Sequence, residues 1–262
     1  MLIDNSRAIH LRTRSALREL VASGDLDEAS ARLLDRALEA NLKGSSARWV
    51  LHLAEALGAT RETALEVGSL AQLVCTATHV VDDIQDGDCD QYLGDVPSSI
   101  QVNVGMQLVA LVGLAAARLE RMIGPSGARL AERAMSDYLK FSCGQRLELA
   151  REEWSPRAYE QMTAQMAHEA HILVRAAAAA SGTDPEPMLP LMRPLAVLMQ
   201  MRCDEASRDP RFTALPAEAM AELRSQAIAE VGRILPGVPS AARPVFEALL
   251  RAATMEEARA AI

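Results

Sequence analysis

Residues 68–81, GSLAQLVCTATHVV, contain no Asp, Glu, Lys or Arg, and the run closes on Asp82-Asp83-Ile84-Gln85-Asp86-Gly87. It shows no alternation of period two, and from Thr60 to the glycine it is far longer than any ordinary strand. We read one helix over 60–86. A helix that is apolar almost all round must be enclosed by other elements, so it is the central member of a multi-helix domain.

The remaining sequence agrees. Half of the residues are hydrophobic but only 3% are aromatic, so the core is built from Leu, Ala, Val and 12 Met. Helix formers dominate throughout, and Gly, Pro, Ser and Asp clusters punctuate the chain. Further helices are expected at 4–21, 27–42, 100–122, 128–152, 157–181, 188–209, 217–234 and 241–261. No linker is long or polar enough to divide the chain, and there is no internal repeat. The expected fold is all-α, a single domain over 1–262 with about nine or ten helices.

A net charge of −8 and a pI near 5.2 argue against nucleic acid as a partner. The four cysteines have no metal-ligand spacing and read as reduced thiols of a cytoplasmic protein. The N-terminal residues lack the apolar core of a signal peptide. Val96–Ala117 has 22 uncharged residues, long enough to cross a bilayer, but it includes Ser98, Ser99, Gln101, Asn103 and Gln107. We expect a helix buried in the protein core and no membrane span.

Asp82, Asp83 and Asp86 carry the chemistry. At about 100° per residue the three fall within one 100° sector of the helix, with Asp86 between the others. Gly87 is a candidate left-handed stop, which puts the carboxylates at the negative end of the helix dipole. Three like charges so placed need a cation, and an all-oxygen donor set suits Mg²⁺ shared with a substrate phosphate.

With these residues the chain resembles the class I isoprenoid synthases, the trans-prenyl diphosphate synthases and the terpene synthases of the same all-α fold. DDIQD is similar to their DDxxD signature. Lys43-Gly44-Ser45-Ser46, followed by an apolar segment ending at Gly58, stands where the family has GGKRxR and a helix. Gly144-Gln145-Arg146-Leu147-Glu148-Leu149 resembles the family's GQxxDL helix. Tyr159 begins a helix placed like the one with the family's Lys-Thr pair, and Met166-Ala167 stands where that pair is expected. Gln200–Ser207 falls where the second aspartate motif belongs. The resemblance implies helices around a central apolar cavity, Mg²⁺ as cofactor, an allylic prenyl diphosphate as substrate, and a homodimer.

It also implies site residues. Asp82, Asp83 and Asp86 would be catalytic through the metal. Asp204, Glu205 and Ser207 are candidates for a second metal set, degenerate because the motif reads CDEAS. Glu205 and Asp209 lie one turn apart as a possible substitute; alternatively Asp204 and Ser207 are part of an NSE triad, with Arg211 where its Glu would be. Candidate diphosphate ligands are Arg202, Arg208, Arg211, Lys43, Arg48 and Gln145, with Arg157 and Arg175 as weaker ones.

The departures bear on the reaction. From Glu62 to Ala117, 56 residues hold eight acids and no Lys or Arg, where average composition gives about six bases. Burying a second diphosphate without cationic partners is costly. We therefore expect the isopentenyl diphosphate pocket to be lost. The expected activity is ionisation of an allylic diphosphate, with the cation quenched internally, as in a terpene synthase, or by another acceptor. A chain-elongating synthase and a non-catalytic synthase-like subunit are the alternatives. His79 is expected to be a satisfied core histidine. For His168 and His171, with Glu169 between them, no third metal ligand is evident.

Overall fold

The computed structural model describes residues 2–41, 47–89, 92–150 and 154–254. Among them are eleven α-helices and no strand: α1 Leu2–Ser23, α2 Glu28–Ala40, α3 Ala47–Ala56, α4 Arg61–Asp86, α5 Ser98–Ile123, α6 Leu130–Leu149, α7 Pro156–Ser181, α8 Met192–Ser207, α9 Pro210–Thr213, α10 Ala217–Ile234 and α11 Arg243–Thr254. Nine were expected from periodicity, and α3 was implied by the apolar segment before Gly58. α9 was not expected: Asp209 caps it and Pro210 starts it, but a single turn carries no periodicity.

The described residues divide into two compact units, 2–135 with 176–183 and 136–175 with 184–254. In the first, α4 packs against α1, α3 and α5, as its composition requires. Every residue from Val67 to Thr78 is buried, and so are Ala64 and Val80. Thr60 caps the helix by accepting from the Thr63 amide at 3.2 Å. A polar seam crosses this apolar centre. The Thr13 hydroxyl donates to Gln72 Oε1 at 2.8 Å, and Gln72 Nε2 donates to Leu38 O at 3.2 Å, so α1, α2 and α4 share one fully buried amide. Its pairing makes that burial tolerable.

α5 corrects an expectation. Its inner face, with Val104, Leu108, Val112 and Leu119, is buried. The opposite face is open: Met106 is 67% exposed and Leu114 55%. Among the described residues two helices, α4 and α5, are long and apolar enough to cross a membrane; 78% of the apolar window is buried in α4 and only 33% in α5. In the second unit, α8 packs against α10 and α11. Its core joins Tyr159, Met162, Val197, Leu198, Met201 and Leu215, with Trp154 and Phe212 at the edge.

Candidate active site

The DDIQD residues form the last turn of α4. Gly87 ends the helix at φ 76°, in the left-handed region, and its amide donates to the Asp83 carbonyl. The Asp88 amide donates to the same carbonyl at 2.7 Å. The expected stop is therefore present, and the three carboxylates stand at the negative end of the helix dipole. Asp82 and Asp83 are half-buried, while Asp86 is exposed. α5 passes close behind them. A Cβ on Gly105 would lie 3.3 Å from Ile84 Cδ1, so glycine allows that approach.

The turn after the helix supplies a residue that sequence reasoning missed. Buried Tyr92 donates its hydroxyl to Asp83 Oδ2. Burial, then this bond, pushes the phenol far above its ordinary range, so it stays a neutral donor. Tyr92 is itself held: its carbonyl accepts from Arg36 Nη2 at 2.7 Å, and Arg36 also grips Asp95 at 2.5 and 3.3 Å. The sequence signal was slight, one of only three tyrosines, nine residues after Asp83. His79 is exposed, with Nδ1 3.0 Å from Asn41 Oδ1, because it points off the buried face of α4; it is not a core histidine. Arg48 is half-buried on α3, and Lys43 lies outside the described residues.

These residues fit Mg²⁺. The donors are all carboxylate oxygens, and among the described residues neither Asp83 nor Asp86 has a Lys or Arg ion pair. The three do not close to a common ligand distance among the described residues, as mutually repelling carboxylates would not.

The second motif, at the end of α8, is tied up within its own unit. Asp204 accepts from Tyr159 Oη at 2.6 Å and from Gln200 Nε2 at 2.9 Å. Burial still holds its carboxyl above the ordinary range. Glu205 pairs with Arg224, and the Ser207 hydroxyl donates to the Asp204 carbonyl at 3.2 Å. Asp209 caps α9: burial alone would push its carboxyl up, but the bonds from Arg211 and the Phe212 amide hold it below the ordinary range. The structure therefore does not bring Asp204, Glu205 and Ser207 together as a metal set, nor Glu205 with Asp209, because each has a separate partner. The expected diphosphate ligands are similarly engaged. Arg211 pairs with Glu148 of the GQRLEL helix at 2.9 Å and lies over the Trp154 ring, 5.6 Å from its centre. Arg202 donates to the Ala252 carbonyl of α11, Arg175 to Asp137 at 3.1 Å, and Gln145 is buried in α6. Arg208 is exposed in the left-handed conformation that ends α8, and Arg157 is exposed at the start of α7.

No protein-family profile and no curated protein matches the sequence. Solved structures do. An isoprenoid synthase family member from Thermotoga neapolitana matches 95% of this chain and 98% of its own, at 18% identity and a TM-score of 0.73. A geranyltranstransferase from Thermotoga maritima matches over the same shares at 18% identity and a TM-score of 0.70. Farnesyl diphosphate synthase of T. brucei, complexed with homorisedronate, matches 95% of this chain and 98% of its own at 13% identity and a TM-score of 0.74. The chain has the all-α fold of the class I isoprenoid synthases.

Proposed function

We propose that this chain is a Mg²⁺-dependent enzyme acting on an allylic prenyl diphosphate, a single domain over 1–262 centred on the DDIQD turn. The observation that carries the reading is the face of three carboxylates at the C-terminal end of α4, with Asp83 oriented by a buried neutral tyrosine. Asp82, Asp83 and Asp86 would hold Mg²⁺, which when bound supplies electrostatic stabilisation to a departing diphosphate. Tyr92 fixes one oxygen of Asp83, and Arg36 fixes the loop that carries Tyr92. The buried run Val67–Thr78 anchors the helix whose last turn carries the carboxylates.

For the fate of the cation, the names of the neighbouring structures support prenyl transfer to isopentenyl diphosphate, the chain-elongating alternative, better than internal quenching. The base-free stretch 62–117 favours the second reading, quenching without a second diphosphate. Incubation with ¹⁴C-isopentenyl diphosphate, Mg²⁺ and dimethylallyl, geranyl, farnesyl or geranylgeranyl diphosphate separates them. A labelled longer prenyl diphosphate supports elongation, whereas unlabelled hydrocarbon or alcohol with released diphosphate supports quenching. We further propose a homodimer through the open apolar face of α5 and no nucleic-acid partner. The four cysteines, none of them in a disulfide, support a cytoplasmic setting.

A further inference from the structure

α6 and α7 bring together a second set of ligand atoms, within the second unit and of a different chemistry. His168 Nδ1 lies 3.1 Å from Asp137 Oδ1 and 3.0 Å from His171 Nδ1, and the three atoms lie within 4.8 Å of one another. Asp137 is buried and both histidines are half-buried. The close contacts constrain the protons. An ionised Asp137 can only accept, so the network assigns the His168 Nδ1 hydrogen toward it. His171 Nδ1, close to the same nitrogen, then presents a lone pair.

Three potential ligand atoms thus share one proton, in the arrangement a metal ion takes when it displaces that proton. Zinc–ligand bonds of about 2.0–2.1 Å in a tetrahedron set adjacent ligand atoms roughly 3.3–3.4 Å apart. Two of the three separations, 3.0 and 3.1 Å, need only a small spread to reach that geometry, and the third, from Asp137 Oδ1 to His171 Nδ1, lies within 4.8 Å. The other carboxylate oxygen is already placed: Asp137 Oδ2 accepts from Arg175 Nε at 3.1 Å, and Arg175 Nη1 is held by Glu186 at 3.2 Å. That leaves Oδ1 aimed at the histidines, the orienting role that outer partners play in metal sites. Lys140 Nζ, 3.5 Å from Oδ1, sits on a half-exposed stem that can swing into solvent. Glu186 offsets the charge of Arg175, and Asp137 brings the negative charge of the ligand set itself.

We propose that Asp137, His168 and His171 form a Zn²⁺ site with one coordination position open to water, fastening α6 to α7. Two imidazoles with one carboxylate select zinc and its late transition-metal neighbours over Mg²⁺, which prefers the oxygen-only set on α4. The site stands apart in composition from DDIQD, so each can be tested without the other.

The test is calorimetric titration of Zn²⁺ into the full chain after chelator treatment and dialysis, with millimolar Mg²⁺ present throughout. One zinc per chain with a micromolar or tighter Kd is expected. His171→Ala and His168→Ala should each weaken binding by more than roughly 10-fold, a larger effect than loss of an orienting partner. Asp83→Asn should leave it unchanged. Co²⁺ in place of zinc should give the visible bands of a four-coordinate ion, lost in His171→Ala. The histidine variants keep both partners of the Asp137–Arg175 pair, and circular dichroism is the check that they fold. Absence of zinc binding tighter than about 100 μM, binding undiminished in both histidine variants, or binding lost in Asp83→Asn would each overturn the site.

Discussion

Tyr92 and Tyr159 do the same thing in different units: each donates a buried phenol hydrogen to one oxygen of a motif aspartate, Asp83 and Asp204. Neither phenol ionises at any ordinary pH, because burial and the adjacent carboxylate both disfavour phenolate. Tyr92→Phe keeps the packing and removes the donor. It should weaken Mg²⁺-supported turnover by roughly 10-fold while leaving the helical circular dichroism intact. A kcat and a Mg²⁺ midpoint equal to wild type would show that Asp83 needs no orientation. The aspartates were legible because helix geometry alone places 82, 83 and 86 on one face. Tyr92 was not, because its reach depends on how the turn after Gly87 folds back.

At the scale of elements, glycines mark where helices touch. A Cβ on Gly144 would lie 3.0 Å from Gln165 Cβ, 3.1 Å from the Met166 amide and 3.2 Å from the Met162 carbonyl. Two of these are backbone atoms of α7 and cannot turn aside. Gly144→Ala should therefore destabilise the fold by about 1–3 kcal/mol in urea denaturation, the usual size of overpacking. An unchanged midpoint would deny the close contact. The same helix pair predicts a pH effect. His171 is held near 4 when folded, against 6.5 in the unfolded chain. The unfolded state thus binds the extra proton first, and stability present at pH 7 is lost as pH falls through 6.5 toward 4. The loss between pH 7 and 5 should be about 2 kcal/mol without added metal, and His171→Gln should flatten it. A variant with the wild-type pH slope would assign the acid sensitivity elsewhere. Helix positions were legible from periodicity, and α10 matches its expected bounds of 217–234. The exposure of α5 was not, since an apolar run states what can be buried and not what neighbours exist to bury it.

For the whole molecule, charge counted along the chain differs from charge counted in space. The stretch 62–117 has no base of its own, yet Arg36 arrives from α2 to grip Asp95 and the Tyr92 carbonyl. This is why the expected loss of a second diphosphate site carries less weight than it did from sequence alone. The open face of α5 makes a further prediction. Wild type should scatter light as a dimer, and Met106→Glu with Leu114→Glu should give a folded monomer. A monomeric wild type, or a dimeric double variant, would remove α5 as the interface.

The central claim is that the DDIQD turn ionises an allylic diphosphate with Mg²⁺. Inorganic diphosphate release is the direct measurement, because both fates of the cation produce it. It should be followed for wild type and Asp83→Asn with the four allylic diphosphates, with and without isopentenyl diphosphate, in Mg²⁺ and in chelator. The account predicts Mg²⁺-dependent release from at least one substrate by the wild type, and at least about 100-fold slower release by the folded Asp83→Asn variant, the loss of roughly 2.7 kcal/mol of transition-state stabilisation. Release that persists in Asp83→Asn, or no release by the folded wild type from any of these substrates, would contradict it.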